Sequence, residues 1–234
     1  ATITLHGPEV AAPKDMAAFQ AEGDQAYLLR LARELDDAIL HLRLNEKELG
    51  LLVFRSQGDP QRFEAHEKLI LENRDHWLAN EVTQFWKRLL KRVDVTSRSM
   101  AALLEHGSCF TGILAELLWA VDRSYMMEDE FEGDNRPMAV VTMTDANFGP
   151  FPMGNGLTRL ETRFLGEPDA LEAAKSHLGE PLEAEAANDL GLVTVCLDDI
   201  DWEDEIRIFM EERASFSPDA MTGMEANLRF AGPE

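Results

Sequence analysis

A glycine turn that opens an apolar helix constrains this sequence more than any other segment. The turn contains Gly107, and the spacing predicts a helix over residues 112–122, where a single acid, Glu116, stands among Ile, Leu and Val residues. Backbone N–H groups at the start of a helix favour negative charge. An apolar helix face rarely buries a carboxylate without a partner. The segment therefore predicts either an acid/base site or a structural acid paired with an arginine or a backbone N–H.

A second acid precedes a loop that is rich in proline and glycine. Asp145 lies seven residues before Pro152, and the loop runs on to Arg159. Two carboxylates near one helix start can share acid/base work, and backbone N–H groups there can hold a developing oxyanion. Asp145 also fits a plain loop acid or an N-cap. Asn147 is a further candidate, because its amide can bond a substrate hydroxyl.

Strand-like and helix-like segments alternate along the whole chain, which is typical of an α/β fold. Strands are predicted at residues 1–6, 49–54, 138–143 and 192–197, and helices at residues 24–44, 61–92, 112–122, 157–165, 168–178, 204–214 and 218–230. Within the helix at 61–92, Trp77 and Trp86 are predicted core residues. We expect residues 1–203 to form the α/β core and residues 204–234 to form a helical segment for docking or oligomerisation. Because the chain starts inside a strand, we also expect a fragment of a longer protein.

The charge of the chain excludes some partners. The net charge is −22, from 44 acids against 22 bases, which disfavours nucleic acid and anionic membrane surfaces. No apolar run approaches the ~20 residues that span a bilayer, and no signal peptide is visible. The two cysteines are far apart and the acidic run at 128–134 lacks the spacing of a calcium loop, so no metal site is predicted. A reducing cytoplasm is the expected location.

The order of these motifs resembles the crotonase (enoyl-CoA hydratase) superfamily. In that superfamily a strand leads into a glycine turn and a helix with Glu, and an acid follows shortly before a Pro-Gly-rich loop that ends in Arg-Leu. The resemblance implies a crotonase-like spiral of ββα units with C-terminal helices. It implies Glu116 and Asp145 as catalytic residues. The residues that it implies for the oxyanion hole and substrate are Gly58, Gly112, Ile113, Asn147 and, beside them, Cys109.

Each of these residues also has a plain structural interpretation. Gly58 fits a surface turn after a strand, because Gly58-Asp59 matches only part of the superfamily's Ala-Gly-Ala-Asp. Gly112 fits a turn glycine, since the superfamily has a run of glycines where this chain has Gly-Ile-Leu. Cys109 fits a small buried core residue, because no His or Lys in the sequence is placed to activate it.

Longer runs give a narrower resemblance, to the benzoyl-CoA-dihydrodiol lyase family. The runs that carry it are ELDDAIL at 34–40, DVTSRS at 94–99, GSCF at 107–110, DDIDW at 198–202, EERA at 211–214 and MEANLRF at 224–230. The family implies a chain of two crotonase-like halves, of which this sequence resembles the second. It implies ring opening of an oxidised, dearomatised benzoyl-CoA to a semialdehyde CoA ester, with loss of formate.

The family resemblance also implies partners. Coenzyme A enters as part of an acyl-CoA substrate, and no metal or redox cofactor is expected. An N-terminal crotonase-like half and a homo-oligomer are the expected protein partners. Two alternatives remain open from the residues. In the first, this half is a catalytically degenerate part that serves as a scaffold or for dimerisation. In the second, it is an enzyme of the enoyl-CoA hydratase/isomerase type.

Overall fold

The chain forms two β-sheets surrounded by helices. The computed structural model describes residues 1–128 and 135–228. The strands are β1 (Thr2–His6), β2 (Leu51–Gln57), β3 (Ser99–Leu104), β4 (Phe110–Thr111), β5 (Arg123–Met127), β6 (Val141–Thr142), β7 (Pro181–Leu182) and β8 (Val195–Leu197). The helices are α1 (Met16–Glu22), α2 (Tyr27–Leu44), α3 (Pro60–Glu72), α4 (Trp77–Asp94), α5 (Glu116–Ala120), α6 (Arg159–Arg163), α7 (Pro168–Ser176), α8 (Ala184–Asp189), α9 (Trp202–Ala214) and α10 (Pro218–Leu228).

The large sheet is parallel throughout and has the order β1-β2-β3-β5-β8. Side chains of a strand point alternately to the two faces. In β2, Leu52 and Phe54 enter the main core, whereas Leu51 and Val53 pack in a second cluster with α9. Both faces of the sheet are therefore covered, which explains why its central strands are apolar in a continuous run.

The main core lies between one face of this sheet and the helices α2, α3, α4 and α5. Trp86 of α4 is completely buried there, and its indole Nε1–H donates to the carbonyl oxygen of Leu28 at 3.1 Å. This bond ties α4 to the first turn of α2. Parallel strands alternate with helices along most of the chain, and the α/β prediction is confirmed.

The small sheet brings two distant loops together. Its order is β4-β6-β7, and β4 runs parallel to β6 with Thr111 paired to Thr142. The residues that follow these two strands consequently lie side by side. Gly112 begins a 3₁₀ turn after β4, and Asp145 begins another shortly after β6. The fold thus places the glycine turn next to the segment that precedes the Pro-Gly loop.

The prediction of one continuous helix at 112–122 is wrong. The structure has a 3₁₀ turn at Gly112–Leu114 and then the short helix α5. Val121 already has extended backbone angles, and the Asp122 carboxylate accepts the Met100 N–H at 2.8 Å. This bond directs the chain into β5, which the sequence did not predict.

The helix predicted at 61–92 is also divided, into α3 and α4. Asn73 ends α3, and His76 caps α4 by accepting the Leu78 N–H on its Nδ1 at 3.3 Å. The break changes the direction of the chain, so Trp77 is 60% exposed and its prediction as a core residue is wrong. The core prediction for Trp86 is confirmed.

The remaining boundaries differ in detail. The strand predicted at 138–143 shrinks to β6, and the strand predicted at 192–197 shrinks to β8. The boundary proposed at residue 204 lies inside α9, whose residues Trp202, Ile206 and Phe209 pack on the large sheet. Phe230, the predicted end of the last helix, lies outside the described residues. Across residues 1–128 and 135–228, the helices are too short or too polar to cross a membrane.

The two tryptophans of α4 give a matched test of this packing. We expect Trp86→Ala to lower the free energy of unfolding by ~3–5 kcal/mol, because it removes a large buried side chain. Trp77→Ala should change it by less than ~1 kcal/mol, since the side chain is mostly in water. Urea denaturation of both variants measures the difference, and equal losses would contradict the described core.

Candidate functional site

Glu116 lies at the first turn of α5 in a closed network of side chains. Its Oε1 accepts a hydrogen bond from Asn147 Nδ2 at 2.7 Å, and its Oε2 accepts one from Arg159 Nη1 at 2.7 Å. Asn147 Nδ2 also donates to the carbonyl oxygen of Gly112 at 2.9 Å. The Glu116 side chain is 1% exposed, and that of Arg159 is not exposed at all. The structure therefore gives Glu116 the arginine partner that one of the two sequence interpretations required.

Arg159 forms ion pairs with two carboxylates at once. Its Nε and Nη2 donate to the two oxygens of Asp94 at 2.9 and 2.7 Å, a bidentate pair, while Nη1 reaches Glu116. Nη1 also donates to the carbonyl oxygen of Phe151 at 3.0 Å. Arg159 begins α6, and Asp94 ends α4. One guanidinium thus links the ends of α4 and α6 to the start of α5.

The protonation of this group follows from burial and pairing. Burial raises the pKa of Glu116, and the nearby Arg159 and Asn147 donors offset part of that rise. Burial lowers the pKa of Arg159, but Glu116 and Asp94 outweigh it, so its pKa is raised overall. The guanidinium therefore stays charged. A charged group in this position holds the two acids in place rather than releasing a proton.

A third acid, Glu67 of α3, completes the network and was not predicted. Its Oε2 accepts the backbone N–H of Ile113 at 2.5 Å, and its Oε1 accepts the Thr144 hydroxyl at 2.5 Å. The side chain is 2% exposed. A signal for it existed in the sequence, because Glu67 stands on the same helical stripe as Phe63 and Ile70, which are both buried. An acid on such a stripe needs donors from another element.

The pKa of Glu67 is raised from 4.5 to about 7. Burial is the main cause, and the bonds from Thr144 and Ile113 work against it. The nearby acids Glu64 and Glu116 add to the rise. Near neutral pH the carboxyl group is therefore divided between its protonated and ionised forms.

Gly112 and Glu67 fit each other. Gly112 has φ +51°, a left-handed conformation that favours glycine. A β-carbon at this position would collide with the Glu67 carboxyl group. The carboxyl group thus fills the space over the glycine turn, where the sequence resemblance implied a thioester oxygen. Ile113 contributes its N–H to that contact, and its own side chain is buried in the core.

The second implied oxyanion donor is Gly58, directly after β2. Its N–H donates to the carbonyl oxygen of Gly107 at 3.0 Å. A methyl group on Gly58 would lie 2.7 Å from the Cα of Gly7, so the two glycine backbones are in close contact. Two of the implied donors, the N–H groups of Gly58 and Ile113, therefore already have acceptors inside the chain.

The other predicted residues lie apart from the network. Asp145 is exposed, and its side chain makes no hydrogen bond or ion pair with the described residues. Cys109 is buried near Gly7, and its backbone N–H donates to Ser56 Oγ at 2.9 Å. Burial raises the pKa of the Cys109 thiol to about 12, which keeps it protonated. The structure thus joins Glu116, Asn147, Gly112 and Ile113, and leaves the other three predicted residues outside.

No group of three His, Cys, Asp or Glu side chains that could hold a metal ion occurs within the described part of the chain. Residues 129–134 of the acidic run lie outside it. The network of Glu67, Glu116 and Arg159 instead satisfies its charges with protein donors.

Comparison with known proteins identifies relatives in sequence and in fold. Benzoyl-CoA-dihydrodiol lyase of Aromatoleum evansii is 47% identical over 232 residues, which is 99% of this chain and 41% of that protein. The chain therefore spans less than half the length of this curated relative. No protein-family model matches the chain.

Solved structures with the same fold are more distant in sequence. An enoyl-CoA hydratase from Geobacillus kaustophilus superposes with a TM-score of 0.63 at 16% identity, covering 97% of this chain and 77% of that one. An enoyl-CoA hydratase from Bacillus halodurans gives a TM-score of 0.60 at 15% identity, covering 86% and 76%. These similarities confirm the crotonase-like fold.

The raised pKa of Glu67 predicts a pH-dependent stability. Because its pKa is about 7 in the folded chain and 4.5 ordinarily, folding takes up a proton between these values, and stability falls as pH rises through that window. The loss is on the order of 3 kcal/mol from the shift in pKa. Glu67→Gln cannot ionise and should remove this slope, although its amide nitrogen leaves either the Ile113 N–H or the Thr144 hydroxyl without an acceptor.

Urea denaturation from pH 4.5 to 8 measures this effect. Glu72→Gln is the matched control, because Glu72 lies on the same helix and is exposed. It should keep the wild-type slope. A Glu67→Gln variant with an unchanged slope would show that Glu67 is ionised throughout the range.

Proposed function

The chain is a relative of benzoyl-CoA-dihydrodiol lyase with the crotonase fold, and we propose that it is the supporting, non-catalytic crotonase-like part of a longer lyase. The 41% of the relative's length that the chain spans supports this division. The proposed whole protein opens the ring of an oxidised, dearomatised benzoyl-CoA to a semialdehyde CoA ester and releases formate. Coenzyme A enters with the substrate, and the chemistry needs no metal or redox cofactor.

The bond from the Ile113 N–H to Glu67 carries the proposal. Oxyanion stabilisation requires donors that are free to bond the developing negative charge of the substrate. Here the N–H at the glycine turn already bonds a carboxylate, and the carboxyl group of Glu67 fills the space above Gly112. A thioester oxygen in that place would meet a carboxyl oxygen instead of a donor. The site is closed by its own side chains.

The charge arrangement supports the same role. A catalytic acid must reach the substrate and change its protonation state during the reaction. Glu116 is buried and bonded to Arg159 and Asn147, so each oxygen already accepts a strong hydrogen bond. Asp145, the other implied acid, is exposed and makes no hydrogen bond or ion pair with this network within the described residues. The two implied catalytic acids therefore do not form a pair.

One observation favours a working site as a second candidate. Glu67 is buried with a pKa of about 7, and buried acids with such values are often general acids or bases. If Glu67 moved out of the glycine turn on substrate binding, the Ile113 N–H would become available and the acid would face the substrate. This candidate requires a rearrangement that breaks two buried hydrogen bonds.

The proposal also covers the cellular location and the assembly of the protein. A cytoplasmic location and a homo-oligomeric assembly fit a lyase of CoA thioesters. The supporting role assigned to this part is to present a rigid surface to the catalytic part or to a second copy.

Substitution of Glu116 in the full-length protein tests the proposed role. Glu116→Gln should leave kcat within ~3-fold of the wild type, because the residue does not touch the substrate. It should lower the free energy of unfolding by ~1–3 kcal/mol, since the amide nitrogen replaces an oxygen that accepts from Asn147 or Arg159. Steady-state kinetics on the acyl-CoA substrate and urea denaturation measure the two effects.

The control is Glu211→Gln, which alters an exposed ion pair with Arg207 and should change neither quantity measurably. A fall in kcat of ~10²-fold or more for Glu116→Gln, with the fold intact, would favour the working site. Glu67→Gln tests the second candidate function, because this variant should reduce kcat strongly only if Glu67 takes part in the reaction.

A further inference from the structure

A cavity of about 370 Å³ lies beneath α10, beside the buried network. Trp119, Met153 and Met221 contribute apolar surface, and each of them is buried. Arg163 of α6 and Arg213 of α9 line the same cavity. The volume and the mixture of apolar walls with a few charged groups are typical of sites for small molecules.

Neither arginine forms a salt bridge within the described residues. The Arg163 guanidinium donates to the carbonyl oxygens of Gly191 and Val193, at 2.5 and 3.1 Å. Arg213 lies over the rings of Phe209 and Phe216, with its guanidinium carbon 5.4 and 5.0 Å from the ring centres.

Several arginines make no salt bridge within the described residues, and Arg163 and Arg213 are the two of these that line the cavity. Burial lowers the pKa of Arg163, which reflects the cost of holding its charge away from water. Arg159 also lines the cavity, but Asp94 and Glu116 neutralise it. Arg159 is thus already paired, which leaves Arg163 and Arg213 as the candidate ligand-binding cations.

We propose that this cavity binds a small organic carboxylate with an apolar body. Arg163 and Arg213 offer guanidinium donors beside an apolar wall, so an organic carboxylate can use both features, whereas phosphate can use only the donors. Guanidinium groups bind carboxylates through paired N–H donors. The indole of Trp119 and the thioethers of Met153 and Met221 suit a flat apolar body, because sulfur contacts aromatic rings favourably. The inference does not depend on the proposed function.

Isothermal titration of the full-length protein with benzoate tests the proposal. Benzoate should saturate a site with a dissociation constant of ~1 mM or tighter, given the size of the ligand. Benzamide has the same shape without the charge and should bind at least ~10-fold more weakly, because it loses the charged hydrogen bonds. Inorganic phosphate, which lacks the apolar body, should also bind more weakly.

Arg213→Met is the decisive variant, and it should weaken benzoate binding by ~10-fold or more. The matched control is Arg207→Met on the same helix, where the arginine is exposed and pairs with Asp204 and Glu211. It should bind benzoate as the wild type does. A benzoate site elsewhere in the full-length protein would keep its affinity in both variants.

If Arg213→Met fails to fold, Arg213→Lys serves in its place, because it retains the charge and loses the planar fork; it should bind benzoate several-fold more weakly than the wild type. The proposal is overturned by the absence of saturable benzoate binding, by equal affinity for benzamide or phosphate, or by unchanged binding in a folded Arg213 variant. In those cases Arg163 and Arg213 only hold α6 and α9 in place.

Discussion

The buried guanidinium of Arg159 is the interaction on which the rest of the structure depends. It satisfies Asp94 at the end of α4 and Glu116 at the start of α5, two acids that belong to different layers of the fold. Loss of the arginine would leave both carboxylates in the interior without a counter-charge, a change that typically costs several kcal/mol. Asn147 connects the pair to the glycine turn. The ion pairs of this one guanidinium thus connect helices α4, α5 and α6.

A further buried acid, Glu67, distinguishes the glycine turn of this chain from the site that the sequence resemblance implied. The fold brings a glycine turn, a helix-borne acid and a Pro-Gly loop to one place, as the sequence resemblance implied. In this chain the carboxyl group of Glu67 enters the same place and bonds the Ile113 N–H. The protein itself thus supplies an acceptor for an N–H group that the resemblance implied as a donor to the substrate.

The sequence predicted the fold better than the site, for physical reasons. Alternating strand and helix patterns depend on local periodicity, so the α/β class and the parallel strands follow from them. The need of Glu116 for a partner also followed from its apolar neighbours. The identity of that partner did not, because Arg159 is 43 residues away in sequence. Glu67 and the N–H of Ile113 are separated by 46 residues, and only the packing of α3 on the glycine turn brings them together.

The fit between Glu67 and Gly112 limits which substitutions the two positions can tolerate. Any larger residue at 112 would meet the carboxyl group and strain the backbone at φ +51°. Any shorter residue at 67 would leave the Ile113 N–H and the Thr144 hydroxyl without their acceptor. Neither position can therefore change alone without losing a contact or straining the turn, so the glycine and the carboxyl group constrain each other.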